Sequence, residues 1–306
     1  MTFDTEDFVS TNSTIILKRI LEALETYDFE AVFFLTGHIA EKLENFPTVV
    51  DMLAEHQIGY HSSGHTVHPT IFEFTDVEDY EQAYKNSIQR ETSHINPLTG
   101  EMEGKGGILT LKRLFHRKQI RAFRAPGHCW TPPHVEAMRT LGITFDFSSN
   151  VSSNPVNFKG INFYPHPIMG QWEGRLSNYR VLAISLARKR LSIVTLHPSL
   201  LVNKNDWDSI FWGMNPKFLT QPHSRSPQET KMLLRNFNLL LRQVVELRKM
   251  RLIETKPLFA ESKRHLVVTR SDVEKYYQQS MMWALKQNYR PKYLLNHFLK
   301  FFEISI

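Results

Sequence analysis

Five short segments carry residue types able to do chemistry. The first, residues 2–7 (TFDTED), sets Asp4, Glu6 and Asp7 within four residues. Carboxylates this close repel unless positive charge sits among them, and a divalent metal or a partner arginine would supply it. Alone, the segment would equally suit a solvated acidic turn or a helix cap. The second segment, residues 59–68 (GYHSSGHTVH), has His61 and His65 four apart. One helical turn would put both imidazoles on one face, an arrangement suited to zinc or a similar ion. His68 follows three residues later, as a further ligand or a support behind the first two.

The remaining three segments are less specific. Residues 121–128 (RAFRAPGH) place Pro126 just after Arg124, fixing the backbone and so the direction of that guanidinium. A fixed arginine can orient a carboxylate and keep it ionised. Asp146 in residues 142–149 (GITFDFSS) lies at the end of an apolar run, where it can pair with Arg124 or a histidine. Residues 192–198 (SIVTLHP) deliver His197 to a strand end, and Pro198 stops the strand at once. A histidine so placed suits general acid work, because its pKa is near neutral and tunable.

The intervening chain alternates helical and strand patterns. A helix is expected over 14–27 with Ser13 as cap, a strand over 31–35, a helix over 39–55 and a strand over 57–60. Further helices are expected over 77–91, 109–116, 133–140 and 226–249, with strands over 120–123, 144–147 and 192–196. Residues 96–107 read as a polar loop overhanging the site. Alternation of this kind specifies parallel α/β architecture, in which active sites gather at the carboxyl ends of strands.

Composition narrows the class. The chain has 306 residues, 42% hydrophobic and 22% charged, enough for a core without disulfides. Its one cysteine, Cys129, excludes an internal disulfide and a cysteine-rich zinc site. A net charge of +6 suits an anionic glycan or lipid phosphate, or simply a soluble basic surface, and no nucleic-acid motif is present. No apolar run is long enough to span a membrane and no signal peptide is evident, so a cytoplasmic location is expected. The first motif begins within a few residues of Met1, leaving little strand before Asp4, and a missing upstream segment would remove that expectation. Past residue 258 the character changes. A helix is expected over 271–288, and residues 291–302 mix Tyr293, Phe298, Phe301 and Phe302 with Lys292 and Lys300. That segment is expected to cap the core, with peripheral membrane contact as the alternative.

In order and spacing, the five motifs resemble the polysaccharide deacetylase family, the carbohydrate esterases of the NodB homology domain. The resemblance rests on T2-F3-D4, on His61-Ser62-x-x-His65, on Arg124-x-Pro126 and on Leu196-His197, with residues 31–38 (AVFFLTGH) similar to the family's second strand. It implies a distorted (β/α)7 TIM-like barrel over residues 1–258 and a C-terminal helical extension over 259–306. It also implies Asp4 as general base, His197 as general acid, Arg124 holding Asp4, and Asp146 tuning His197. His61 and His65 would be metal ligands. The departure is Thr5, which stands where the family has a metal-binding aspartate, making Glu6 the expected third ligand and Asp7 the reserve. The implied reaction removes an N-acetyl group from a carbohydrate, with zinc as the default ion and cobalt, nickel or manganese as others that suit the donors. A backbone N–H just after Arg124 is expected to help hold the oxyanion, and Trp130 and Trp172 to offer faces for a sugar. The alternatives are a hydrolase of small non-sugar amides or cyclic imides, akin to allantoinases, and an inactive carbohydrate-binding relative.

Overall fold

The computed structural model describes residues 1–65, 77–128, 130–149, 151–165, 167–169, 183, 187, 191–205, 207, 222–254, 259–286 and 294–305. His68, Trp172, Lys292 and Tyr293 lie outside the described residues. In chain order the strands are β1 (Thr2–Thr5), β2 (Val32–Leu35), β3 (Gln57–Tyr60), β4 (His94–Ile95), β5 (Met102–Glu103), β6 (Ala122–Phe123), β7 (Phe145–Asp146), β8 (Val156–Phe158), β9 (Ile161–Phe163), β10 (Ile168–Met169) and β11 (Val194–Leu196). The helices are α1 (Thr11–Thr26), α2 (Gly37–Leu43), α3 (Pro47–Ala54), α4 (Tyr80–Glu91), α5 (Ile108–Leu114), α6 (Pro132–Thr140), α7 (Pro227–Lys249), α8 (Arg270–Lys286) and α9 (Leu295–Phe301).

One sheet runs β10-β11-β1-β2-β3-β6-β7-β9-β8, and every pairing in it is parallel except the terminal β8–β9 pair. The expected parallel α/β barrel architecture is therefore present as a curled sheet, whose two edge strands do not pair with each other among the described residues. Four residues suffice for the interior strand β1, which pairs with β2 from Thr2↔Val32 to Thr5↔Leu35 and with β11 at Phe3↔Leu196. Phe3 is buried between Phe33, stacked at 4.7 Å, and the edge of Phe237 at 6.0 Å. Ring packing of this kind adds to area burial in holding a short strand in place.

Several expectations shift in detail. The expected helix over 39–55 is two helices, because Pro47 cannot continue α2 but opens α3 at its first position. Helix α1 starts earlier, with Ser10 at its N-cap; Ser13 instead gives its hydroxyl proton to Asp7. The polar stretch after residue 95 folds back as a hairpin, β4 with β5 in antiparallel register. Helix α7 matches its expected span, held by a capping box between Ser226 and Glu229.

The C-terminal helices join the main core. Tyr276 donates to the Val151 carbonyl at 2.9 Å, and Ser280 to the Trp130 carbonyl at 2.8 Å. Phe298, Phe301 and Phe302 are buried in the core. Among the described residues, no helix is long and apolar enough to cross a membrane.

Candidate active site

All five motifs arrive at the carboxyl ends of strands. Glu6 follows β1, His61 follows β3, Arg124 follows β6, Asp146 ends β7 and His197 follows β11. Side chains alternate along a strand, so Thr2, Asp4 and Glu6 share one side while Phe3 and Thr5 take the other. Alternation is why Glu6, and not Thr5, reaches the histidines. Glu6 Oε2 lies 3.0 Å from His65 Nε2 and 3.6 Å from His61 Nε2, and all three side chains are buried. Glu6 Oε2 receives no hydrogen bond. Burial acts to raise the Glu6 carboxyl; the facing charges of His65 and His197 and the contacts with His61 and His65 outweigh it, leaving it well below the usual carboxylate range.

The donors fit a divalent ion. Ligands about 2.0–2.1 Å from a tetrahedral centre stand roughly 3.3 Å apart, and the two distances from Glu6 bracket that value. His61 Nδ1 is 2.7 Å from the Arg124 carbonyl oxygen. A carbonyl only accepts, so Nδ1 carries the proton and Nε2 is left to ligate, the usual second-sphere wiring of a metal-bound histidine. The backbone between the two histidines is not the helical turn expected from their spacing. Ser62 has a left-handed φ of 68°, and its carbonyl and that of Ser63 accept from the Gly37 and His38 N–H groups at 3.0 and 3.1 Å. Those bonds hold a bend in which the imidazole rings come within 4.9 Å. Gly37 is required here, since a Cβ would sit 2.8 Å from the Ser63 oxygen.

Arg124 is wholly buried, its guanidinium 4.3 Å above the Phe34 ring, and it donates to Asp4 Oδ1 at 2.5 Å and to Thr2 Oγ1 at 3.1 Å. Burial lowers its pKa, and the charges of Asp4 and Asp146 oppose that. Asp4 Oδ2 is 3.9 Å from His197 Nε2, so a carboxylate and an imidazole face each other beside Glu6. Asp146 accepts from the Ser148 and Ser149 backbone and hydroxyl groups at 2.9–3.1 Å. Burial nevertheless raises its pKa. The Ala125 N–H, the first after Arg124, is spent on Ser148 Oγ at 2.7 Å, and Pro126 has none, so the expected oxyanion donor is not the adjacent residue.

Two carboxylates have roles the sequence does not announce. Asp7 accepts from the Val9 and Ser10 N–H groups, from Ser13 and from Asn203, at 2.8–3.0 Å apart from the shorter Ser13 contact. So saturated, it is a cap for the β1–α1 turn and not the reserve ligand. Glu91, the last residue of α4, lies wholly buried behind the bend at residues 61–65. It accepts from Tyr60 at 2.6 Å, the Ser63 N–H at 3.0 Å, Ser62 at 3.3 Å and His134 Nε2 at 3.0 Å. Its partners lie 28 to 43 residues away in the chain, so no local motif could have marked it.

Comparison with known proteins gives one family and several distant structures. Comparison with curated protein sequences gives no match. Among solved structures, a CE4 family pseudoenzyme from Bacillus anthracis is 14% identical with a TM-score of 0.36, over 79% of this chain and 61% of that one. This chain therefore spans less than two thirds of that relative. A family 4 carbohydrate esterase from Streptomyces lividans in complex with acetate is 14% identical (TM-score 0.38; 80% and 87% covered). Peptidoglycan deacetylase PdaC from Bacillus subtilis is 13% identical (TM-score 0.39; 94% and 94% covered). Residues 1–145, which hold β1 through β6 and with them Asp4, Glu6, His61, His65 and Arg124, match the family profile described as polysaccharide deacetylase.

Proposed function

We propose that the protein is a metal-dependent deacetylase that hydrolyses an N-acetyl group on a carbohydrate, with residues 1–258 as the catalytic unit and 259–306 as an extension completing its core. The observation that carries this reading is the convergence of Glu6, His61 and His65 on one point beside the Asp4–His197 pair. Glu6, His61 and His65 would hold the ion, zinc first and cobalt, nickel or manganese as alternatives. When bound, the ion supplies Lewis acidity that polarises the amide carbonyl and acidifies a water. Asp4, aimed by Arg124, takes the proton of the attacking water at the acetyl carbon. His197 then gives a proton to the nitrogen as the C–N bond breaks, without which an amine leaves poorly. Acetate and a free amino sugar result. Asp146 acts at one remove, balancing the Arg124 charge and shaping the 147–149 turn.

Elemental analysis of the purified protein, paired with acetate release from N-acetylated oligosaccharides, tests the reading. One equivalent of metal lost in a His61→Ala, His65→Ala variant, with acetate release disappearing alongside, is the expected result. A wild type that stays metal-free after loading with zinc, cobalt or nickel would overturn it.

A further inference from the structure

We propose that His38, Glu41 and His94 form a second divalent-metal site, distinct from the Glu6 centre, that clasps the β4–β5 hairpin to helix α2. One ligand atom from each of the three lies within 4.8 Å of the others. His38 and Glu41 stand three apart on α2, so they share a face, and His94 comes from the hairpin strand paired to Glu103. His94 Nδ1 is 2.9 and 3.0 Å from the two Glu41 oxygens, and the His38 and His94 rings are 5.6 Å apart.

His38 distinguishes this group from an ordinary surface ion pair. It is 5% exposed, and its Nε2 is 2.6 Å from the Ile95 carbonyl oxygen. A carbonyl only accepts, so Nε2 carries the proton and Nδ1 holds a lone pair. That Nδ1 is buried and has no hydrogen-bond partner. A buried imidazole with one nitrogen tied to a backbone carbonyl, and the other thereby left as the ligating atom, repeats the wiring of His61 at the Glu6 centre. Burial also favours the neutral ring, which is the ligating form. Glu41 and His94 are each about one-third exposed, at 30% and 31%, which leaves a path for the ion to enter. Two imidazoles and a carboxylate suit zinc, cobalt or nickel rather than calcium or magnesium. Joining α2 to β4 by metal would fix the stem of the hairpin that carries residues 96–101.

Equilibrium dialysis of the chelator-stripped full chain against zinc alone, with elemental analysis, tests the site. The expected counts are two zinc ions in wild type, one in His61→Ala, His65→Ala, one in His94→Ala and none in the triple variant. Glu41→Gln, on a partly exposed side chain that folding tolerates, should match His94→Ala. Trypsin adds a structural readout: zinc should slow cleavage at the exposed Lys105 in wild type and in the His61, His65 double variant, but not in His94→Ala. A single zinc in wild type that vanishes in the double variant would overturn this site and leave the proposed active centre intact. A zinc count unmoved by both His94→Ala and Glu41→Gln would overturn it too. One zinc retained in the double variant and lost in the triple variant would uphold it even if the catalytic reading failed.

Discussion

Two buried glutamates flank the bend between His61 and His65, and their surroundings are opposite. Glu91, behind the bend, accepts four hydrogen bonds and ties Tyr60, Ser62, Ser63 and His134 into one unit. Glu6, in front, has an oxygen that receives none and faces two imidazole nitrogens. A buried carboxylate without donors costs several kcal/mol unless something positive joins it, whereas one with four donors is a fixed part of the scaffold. Donor supply therefore separates a residue kept for a ligand from a residue kept for the fold. Asp7 makes the same point from one position away, since its four donors take it out of the chemistry.

Substitutions at the two glutamates should dissociate function from stability. Glu6→Gln removes a ligand charge from a side chain whose neighbours are the two imidazoles and not a set of backbone and hydroxyl donors. Metal affinity should fall by more than the roughly 10–100-fold typical of changes outside the ligand set, with urea stability of the metal-free protein unchanged or slightly raised. Glu91→Ala should do the reverse. Several buried donors lose their acceptor together, and unfolding free energy should drop by about 3 kcal/mol or more. Glu91→Gln, which keeps the volume, should lose less stability and weaken metal binding roughly tenfold through a loosened bend. Destabilisation by Glu6→Gln equal to that of Glu91→Ala would break the distinction.

Smaller effects sharpen it further. His197→Ala should lower acetate release by roughly 10²–10⁴ with metal content intact, because His197 moves a proton and is not a ligand in this reading. Asp7→Asn turns an amide toward groups that already donate. It should cost about 1–3 kcal/mol of stability and leave the metal count unchanged, as measured by urea titration and elemental analysis.

What could be read in advance follows the same division. Strand ends and their chemical residues were legible, because an apolar run that ends in Asp146, or in Arg124 or His197 with a proline close behind, is a local signal. The placement of Glu6 over Thr5 was legible by resemblance, and strand alternation supplies its physical cause. Glu91 was not legible, since its partners lie 28 to 43 residues away in the chain. The spacing of His61 and His65 misled about local form, because the Gly37 and His38 N–H groups take the carbonyls that a helix would have used. Pro47 split a helix whose apolar period continued across it, a case of backbone chemistry overriding pattern.

The smallest expected effect concerns buried histidines away from the Glu6 centre. His56 and His297 both have pKa values lowered from 6.5, mainly by burial. In the folded protein they stay neutral at pH values where the unfolded chain takes up protons. Their contribution to stability is therefore present above about pH 6.5 and is lost as pH falls through that value toward their folded pKa. Urea midpoints should decline between pH 7.5 and pH 5.5, and His56→Gln should flatten part of that decline without touching metal content. His56 packs beside Phe33, 5.3 Å between rings, and belongs to neither proposed ligand set, so its slope reports the scaffold. A decline that His56→Gln leaves unchanged, but that vanishes when Glu6 is replaced, would mean that the front of the bend governs acid stability, and the separation of ligand from scaffold would not hold.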